Sequence, residues 1–319
     1  MLIIDKVGFL GDVHLGRRFI NGVPLHRRGE RENMVQSQFF AEINTPDLDM
    51  IVQVGDLYDR FRVELNTVVR TANCIRSAAL NTPETTFIFL AGNHDLAKDA
   101  EKISAFELTR LLLRDVPNAH VLMDVPQSFQ GVLFVPYNPF MDATTTLSVG
   151  VPPHPEPYKA VVGHWDKVAV GDQSNLIPLD ELAKLTKLVI SGHDHTPDEF
   201  QHGDTRVIYT GSMQPYSHGE DPDRKLYTTM SLVEATSTYP ELIKDKCVRV
   251  LLLDGEAAPD LDCLQLTTKR IGSSEDDVTV DFEDGLNMEA LFVECMAGID
   301  EDVTANVKTK LNEVRNAVT

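Results

Sequence analysis

Five times in this chain an apolar run ends in a glycine or small residue and is followed at once by side chains able to hold a metal ion. The segments are VGFLGDVH (Val7 to His14), MIVQVGDLYD (Met50 to Asp59), FIFLAGNHD (Phe87 to Asp95), AVVGHWD (Ala160 to Asp166) and LVISGHDH (Leu188 to His195). A short apolar run bounded by glycine reads as a buried strand closed by a tight turn. Five of them, each delivering Asp, Asn or His just past its end, describe strands whose C-terminal ends converge on one site. Asp56, in the second run, is the candidate for a carboxylate shared by two metal ions at the centre of that site.

The residues between these runs predict how the strands are connected. Helices are expected over Glu32 to Ile43, Val63 to Leu80, Lys102 to Arg114 and Pro178 to Leu185; in the second of these, Val68, Ala72, Ile75 and Ala79 form the apolar stripe. Further strands are expected at Gln127 to Val135, Arg206 to Tyr209 and Leu226 to Val233. The alternation implies an α/β architecture with largely buried sheets. Past Thr238 the character changes, to a strand at Cys247 to Leu253 and helices at Asn287 to Ala297 and Asp302 to Asn316. A chain of 319 residues can hold one large domain, residues 1–238, and a small α+β accessory domain, residues 239–319.

Charge narrows the partners only when it is read locally. The net charge of −20 argues against a nucleic-acid partner if taken as a whole, because phosphate backbones are held mainly by Lys and Arg. Yet from Glu241 onward there are 18 acidic and 8 basic residues, so half of the excess lies in the accessory region. Between Arg17 and Arg31, five arginines face only Glu30. Arg17, Arg18, Arg27 and Arg28 are the candidates for phosphate contact. Four cysteines form no C-x-x-C pair, which supports neither a zinc knuckle nor a disulfide framework. No apolar run reaches the 18 or so residues of a membrane span, and Met1 to Ile4 is too short for a signal-peptide core, so the expected location is the cytoplasm without membrane contact.

The candidate metal ligands are Asp12, His14, Asp56, Asn93, His164, His193 and His195. Residues two apart in extended backbone point to the same side, so Asp12 and His14 can serve one ion, and His193 and His195 neighbouring ions. Oxygen and imidazole donors without thiolate suit Mn, Fe or Zn better than Ca or Mg. Two divalent ions sharing a carboxylate can clamp a phosphate for in-line displacement. Trp165, the single tryptophan, is read as core packing, with stacking on a base as the alternative.

The series GDVH, GDLYD, GNHD, GH and GHDH, spanning Gly11 to His195, resembles the five motifs of the calcineurin-like metallophosphoesterases. That resemblance implies a four-layer α/β/β/α sandwich. It implies that Asp12, His14, Asp56 and His195 bind a first metal, and Asp56, Asn93, His164 and His193 a second. His94 is then a catalytic group acting on the phosphate or leaving group, with Asp95 holding its ring, and Asp59 stands as support or loop structure beside them. The cofactor implied is a pair of divalent ions, Mn²⁺ first, with Mg²⁺, Fe²⁺ or Zn²⁺ as alternatives.

Within that superfamily, GDLYDRF and GNHD differ from the GDxxDRG and GNHE of Ser/Thr protein phosphatases. Asp12-Val13-His14-Leu15-Gly16 is similar to the DxHLG opening of SbcD-type DNA-repair nucleases. Tyr209-Thr210-Gly211-Ser212, Ser217, Gly219-Glu220 and Lys225 are similar to the YxGS…S.GE…K signature of the same enzymes. Val162 to Trp165 resembles the matching motif of the tailed-phage recombination endonuclease subunit. The expectation is a metal-dependent exonuclease or endonuclease acting on DNA ends for repair or recombination. Its expected partner is an SMC-like coiled-coil ATPase, with a homodimer within the complex and residues 239–319 as a capping domain. A small-substrate nucleotide phosphodiesterase is the alternative. A metal-free scaffold is a third reading, opposed by the complete ligand set.

Overall fold

The computed structural model describes residues 1–99, 102–168 and 174–271; the helices expected at Asn287 to Ala297 and Asp302 to Asn316 lie outside this range. The first sheet has five strands in the order β1 (Leu2–Ile4), β2 (Val7–Leu10), β3 (Met50–Gln53), β4 (Thr86–Leu90) and β5 (Ala119–Leu122). From β2 to β5 all neighbours run parallel. The second sheet holds β6 (Gln127–Phe129), β7 (Val132–Phe134), β8 (Ala160–His164), β9 (Leu188–Gly192), β10 (Asp198–His202) and β11 (Thr205–Tyr209), in the order β10-β11-β9-β8-β7-β6. Its central strands are also parallel. Helices α1 (Glu30–Glu42), α2 (Leu65–Asn81) and α3 (Ala105–Leu113) follow strands of the first sheet; α4 (Ala143–Gly150) and α5 (Leu179–Leu185) follow strands of the second.

Period-two alternation along the strands sorts the side chains into layers. Phe9, Met50, Val52, Ile88 and Leu90 of the first sheet meet Val132, Phe134, Ala160, Val162 and Ile190 of the second in one apolar layer. Their sequence neighbours Leu10, Ile51, Phe87 and Phe89 face the other way, onto Val35, Phe39, Val68, Ala72 and Ile75 of α1 and α2. On the far side, Leu133, Val161 and Val189 pack against Ala143, Leu147 and Leu182 of α4 and α5. Three apolar interfaces between four layers, two of helix and two of sheet, make the α/β/β/α sandwich. Trp165 is 2% exposed in the last of these interfaces, over Gly163, so core packing is its role and base stacking is excluded.

Several elements differ from those expected for identifiable reasons. The single strand expected over Gln127 to Val135 is a hairpin, since Gln130 (φ 52°) and Gly131 (φ 83°) form a two-residue turn with both residues left-handed. The strand expected to reach Val233 stops at Ser231, whose side chain and that of Glu234 form a capping box starting α6 (Leu232–Ser237). A third sheet orders β12 (Tyr227–Ser231), β13 (Cys247–Leu252) and β14 (Gln265–Arg270), all parallel, with α7 (Pro240–Ile243) between the first two. Residues on both sides of Thr238 therefore contribute strands to it.

This third sheet is fastened to the arginine-rich loop. The backbone N–H of Leu266 donates to the Gly22 carbonyl at 2.8 Å, and Gln265 Nε2 donates to Asn21 O at 2.9 Å. Gly22 has φ 68°, and a Cβ there would lie 2.0 Å from the Leu266 carbonyl oxygen. Arg27 completes the join: it is 5% exposed, donates to the Lys244 carbonyl, and pairs with Glu30 (2.8 Å), Asp245 (3.3 Å) and Asp262 (3.6 Å). Its expected contact with DNA phosphate is thus corrected to an internal one, because its guanidinium is already enclosed by acceptors. Arg27→Ala is expected to destabilise the protein by about 1–3 kcal/mol, less than the roughly 3–5 kcal/mol of a fully buried pair because the partners are partly solvated. Arg28→Ala, at an exposed position, should leave thermal unfolding nearly unchanged; equal melting of the two variants would remove Arg27 from this role.

Candidate metal centre

Each parallel strand ends in a turn that places its polar side chains at the same edge of the sandwich. After β2, Gly11 passes so close to Gly211 that a Cβ would lie 1.7 Å from its carbonyl oxygen, and Asp12 and His14 follow, both buried. After β3, Asp56 turns in the left-handed region (φ 55°) and its carbonyl accepts from the N–H groups of Val13 and His14, both at 3.0 Å. His14 (φ 50°) and His193 (φ 82°) share that backbone conformation, which costs an L-residue about 1–2 kcal/mol. Strand ends from both sheets are thereby stitched together by main-chain contacts before any side chain is considered.

The seven candidate ligands come together as two groups that meet at Asp56. In one, His195 Nε2 lies 2.9 Å from His14 Nε2 and 3.6 Å from Asp12 Oδ2, with His14 Nε2 3.9 Å from Asp56 Oδ2. In the other, Asn93 Oδ1 is 3.0 Å from both His164 Nε2 and His193 Nδ1, and His164 Nε2 is 3.5 Å from Asp56 Oδ2. Asp12-His14-His195 and Asp56-His164-His193 are each compact enough to hold a cation, as is His14-Asp56-His94.

The protonation chemistry of the rings fits a cation in the middle. His164 Nδ1 faces the Val54 carbonyl at 2.9 Å, His193 Nε2 pairs with Asp166, and His195 Nδ1 faces Glu220 at 3.3 Å. A carbonyl or carboxylate can only accept, so each of these outer nitrogens carries a proton, and the other nitrogen of each ring is turned inward. The inward nitrogens meet the oxygens of Asn93, Asp56 and Asp12, so that imidazole and oxygen donors converge as a cation requires. The His14 Nδ1 atom is buried without a partner.

The carboxylates show the same crowding. Burial, then the charge of Asp56, pushes Asp12 well above the usual carboxylate range, and Asp95 is raised by the same two causes. Burial acts on Asp56 as well, but the imidazoles of His164, His14 and His94 outweigh it and hold its carboxyl below that range. Burial pushes His14 well below the usual imidazole value.

Two expected roles change in the structure. Asp95 does not touch the His94 ring: its carboxylate accepts from the N–H groups of Leu57 (3.2 Å), Tyr58 (2.9 Å) and Gly92 (3.0 Å), tying two ligand loops together. The ring is held instead by the Asp59 carbonyl, 2.6 Å from His94 Nδ1, while the Asp59 carboxylate faces Arg60 (3.2 Å) and Arg17 (3.9 Å). Sequence reasoning did not assign Asp166 or Glu220 to the site. Glu220 stood in the Gly219-Glu220 pair and Asp166 two residues past His164, so a signal existed in each case. The arginines differ among themselves: Arg17 lies 4.8 Å above the Tyr216 ring, Arg18 pairs with Glu64, and Arg28 is exposed.

Two stacked parallel sheets carrying an Asp/Asn/His cluster at their strand ends define a metal-dependent phosphoester hydrolase. The chain belongs to the calcineurin-like phosphoesterase family, whose model matches residues 5–197. It is 29% identical over 231 residues to the DNA double-strand break repair protein Mre11 of Halobacterium salinarum, covering 68% of this chain and 54% of that protein. To the protein of the same name from Haloferax volcanii it is 27% identical over 230 residues, with coverages of 69% and 48%. The chain spans about half the length of these curated relatives. Among solved structures, a phosphopantetheinyl hydrolase from Mycobacterium tuberculosis aligns at 13% identity with a TM-score of 0.37, over 69% of this chain and 92% of that one. Among the described residues no helix is long and apolar enough to cross a membrane.

Proposed function

We propose that the chain is the nuclease subunit of an SbcCD-like complex, hydrolysing phosphodiester bonds at DNA ends with two divalent cations. The observation that carries this reading is the meeting of two His/Asp groups at Asp56 beside a cleft lined by Arg17, Arg18 and Arg28. The DNA-repair name of the haloarchaeal relatives supports DNA as the substrate. Asp12, His14, Asp56 and His195 would hold one ion, and Asp56, Asn93, His164 and His193 the other. Mn²⁺ suits this donor set, with Mg²⁺, Fe²⁺ and Zn²⁺ as alternatives. Bound there, such cations neutralise phosphate charge and lower the pKa of an attacking water.

The chain's own groups supply the rest. His94 Nδ1 is engaged by the Asp59 carbonyl, so Nε2 is the nitrogen free to carry a proton to the leaving oxygen. Asp166 and Glu220 fix the rings of His193 and His195 with the other nitrogen inward. Arg17, steadied on Tyr216, faces the approaching phosphate. The partner is an SMC-like coiled-coil ATPase; the protein works as a homodimer within that complex, in the cytoplasm, and residues 239–319 cap the DNA or dock the ATPase.

Two measurements test the reading. Metal addition is expected to raise the melting temperature, by the equivalent of about 2.7 kcal/mol at one hundred times the dissociation constant, and EDTA to reverse it; a melting curve indifferent to both would remove the metal centre. Linear duplex DNA, nucleotides and bis-(p-nitrophenyl) phosphate are then compared as substrates with Mn²⁺, with and without the ATPase. The net charge of −20 favours a small-substrate phosphodiesterase as the second reading, and turnover of nucleotides with DNA left intact would establish it instead.

A further inference from the structure

A cavity of about 400 Å³ opens beside the metal centre, with His14 in its wall, and runs between the first turns of α1 and α2. Arg17, Arg18, Arg28 and Arg70 line it, against the carboxylates of Glu32 and Glu64. Glu64 accepts from Arg18, and Glu32 Oε1 accepts the Phe19 N–H at 3.1 Å while its Oε2 is buried without a partner. Among the described residues neither Arg28 nor Arg70 is ion-paired. On α2, Asn66 and Arg70 are four residues apart and therefore share a helical face, and both line the cavity. In a chain of net charge −20, four guanidiniums in one concave space beside a metal centre are a local concentration of positive charge; Glu64 and Asp59 meet those of Arg18 and Arg17, which leaves Arg28 and Arg70 to attract an external anion.

We propose that this cavity is a second phosphate subsite, which grips a nucleotide phosphate of an unpaired strand whose neighbouring phosphodiester lies at the His14 end, with Arg28 and Arg70 as its anchors. The proposal rests on the nuclease reading and makes it more specific. Planar guanidiniums suit phosphate oxygens, and contacts to phosphate carry no base identity, so the subsite is indifferent to sequence. The volume sits at the low end for ligand sites and admits roughly one nucleotide. A duplex does not enter a space of this size, so the strand must be unpaired where it meets α1 and α2. The subsite implies a preference for polynucleotide over a small diester, which reaches the metal centre without filling the cavity.

The test uses the full chain and a fluorescein-labelled oligothymidylate of ten nucleotides. Its affinity is measured by anisotropy in EDTA over a range of salt, and its cleavage with Mn²⁺ is compared with that of bis-(p-nitrophenyl) phosphate. For Arg70→Ala we expect the oligonucleotide to bind about tenfold more weakly, the loss of one charged hydrogen-bonding partner. The ratio of kcat/KM on oligonucleotide to kcat/KM on the small diester should fall by the same factor, and the salt slope should flatten by about 0.7. Arg70→Lys should restore the slope. Arg28→Ala, in a different element, should repeat the result and guards against a local effect on α2. Unchanged ratios and slopes in both alanine variants overturn the subsite while leaving the nuclease reading intact. Equal losses on a blunt duplex of the same length overturn the assignment to an unpaired strand. A wild-type chain that hydrolyses the small diester but neither binds nor cuts the oligonucleotide overturns the nuclease reading, and the subsite with it.

Discussion

Asp56→Ala is expected to lose hydrolysis entirely and to hold at most one metal ion per chain. Both groups of candidate ligands use this carboxylate: Oδ2 lies 3.5 Å from His164 Nε2 and 3.9 Å from His14 Nε2. Without it, two dications would face each other across neutral imidazoles with no negative charge between them. Losing the several kcal/mol of charge stabilisation that a bound ion contributes lowers the rate on the order of 10³-fold or more. Oδ1 also accepts the His94 N–H at 2.9 Å, and the residue is left-handed, so alanine could in addition disturb the loop. Asp56→Asn separates the two effects, since asparagine keeps an oxygen acceptor and tolerates that backbone region. The asparagine variant should melt close to the metal-free wild type and still fail to bind the second ion. Metal analysis of both purified variants is decisive, and two full equivalents in either one would end the bridging assignment.

His94→Gln should behave in the opposite manner, keeping both ions and losing activity by about 10² to 10⁴-fold, the usual contribution of a general acid. The ring is 44% exposed at the mouth of the site, with Nε2 3.9 Å from Asp56 Oδ2. That position also completes a possible three-residue cation site with His14 and Asp56, so metal content and rate must be read on the same sample. If the glutamine variant loses an ion, His94 is a ligand. A leaving group of low pKa needs little protonation, so a nitrophenyl diester should suffer less than DNA; equal losses on the two would argue against proton delivery.

The parts of the site legible in the sequence are those fixed by buried strands. Apolar runs such as Phe87 to Leu90 are too short for a buried helix and are bounded by turn residues, which favours a strand, and the turn that follows each one leaves little freedom in where Asp12, Asn93 or His164 can go. Legibility fails where a contact is made between distant polar groups. Nothing local in Arg27 distinguishes it from Arg28, yet one is enclosed by Glu30, Asp245 and Asp262 and the other is exposed. Asp95 follows His94 directly, and adjacency suggested a pair, but its carboxylate is taken by three main-chain donors that no spacing rule reveals. β10, reading DEFQH, and β14, reading QLTTKR, were missed because edge strands with one wet face carry little apolar signal.

His14, Asp56 and His193 keep a backbone conformation that an isolated peptide avoids, and that has a consequence for moving the site elsewhere. Cut out as short sequences, GDVH, GDLYD and GHDH would relax to ordinary extended or helical torsions and scatter their donors. The unusual torsions persist because neighbouring strands impose them, through contacts such as the Asp56 carbonyl on the N–H groups of Val13 and His14. The transplantable unit is therefore the pair of sheets and not the motif: an engineer grafting these ligands onto a foreign loop inherits the residue names without the angles, and selection acting on such a graft must rebuild the scaffold before it can improve the chemistry.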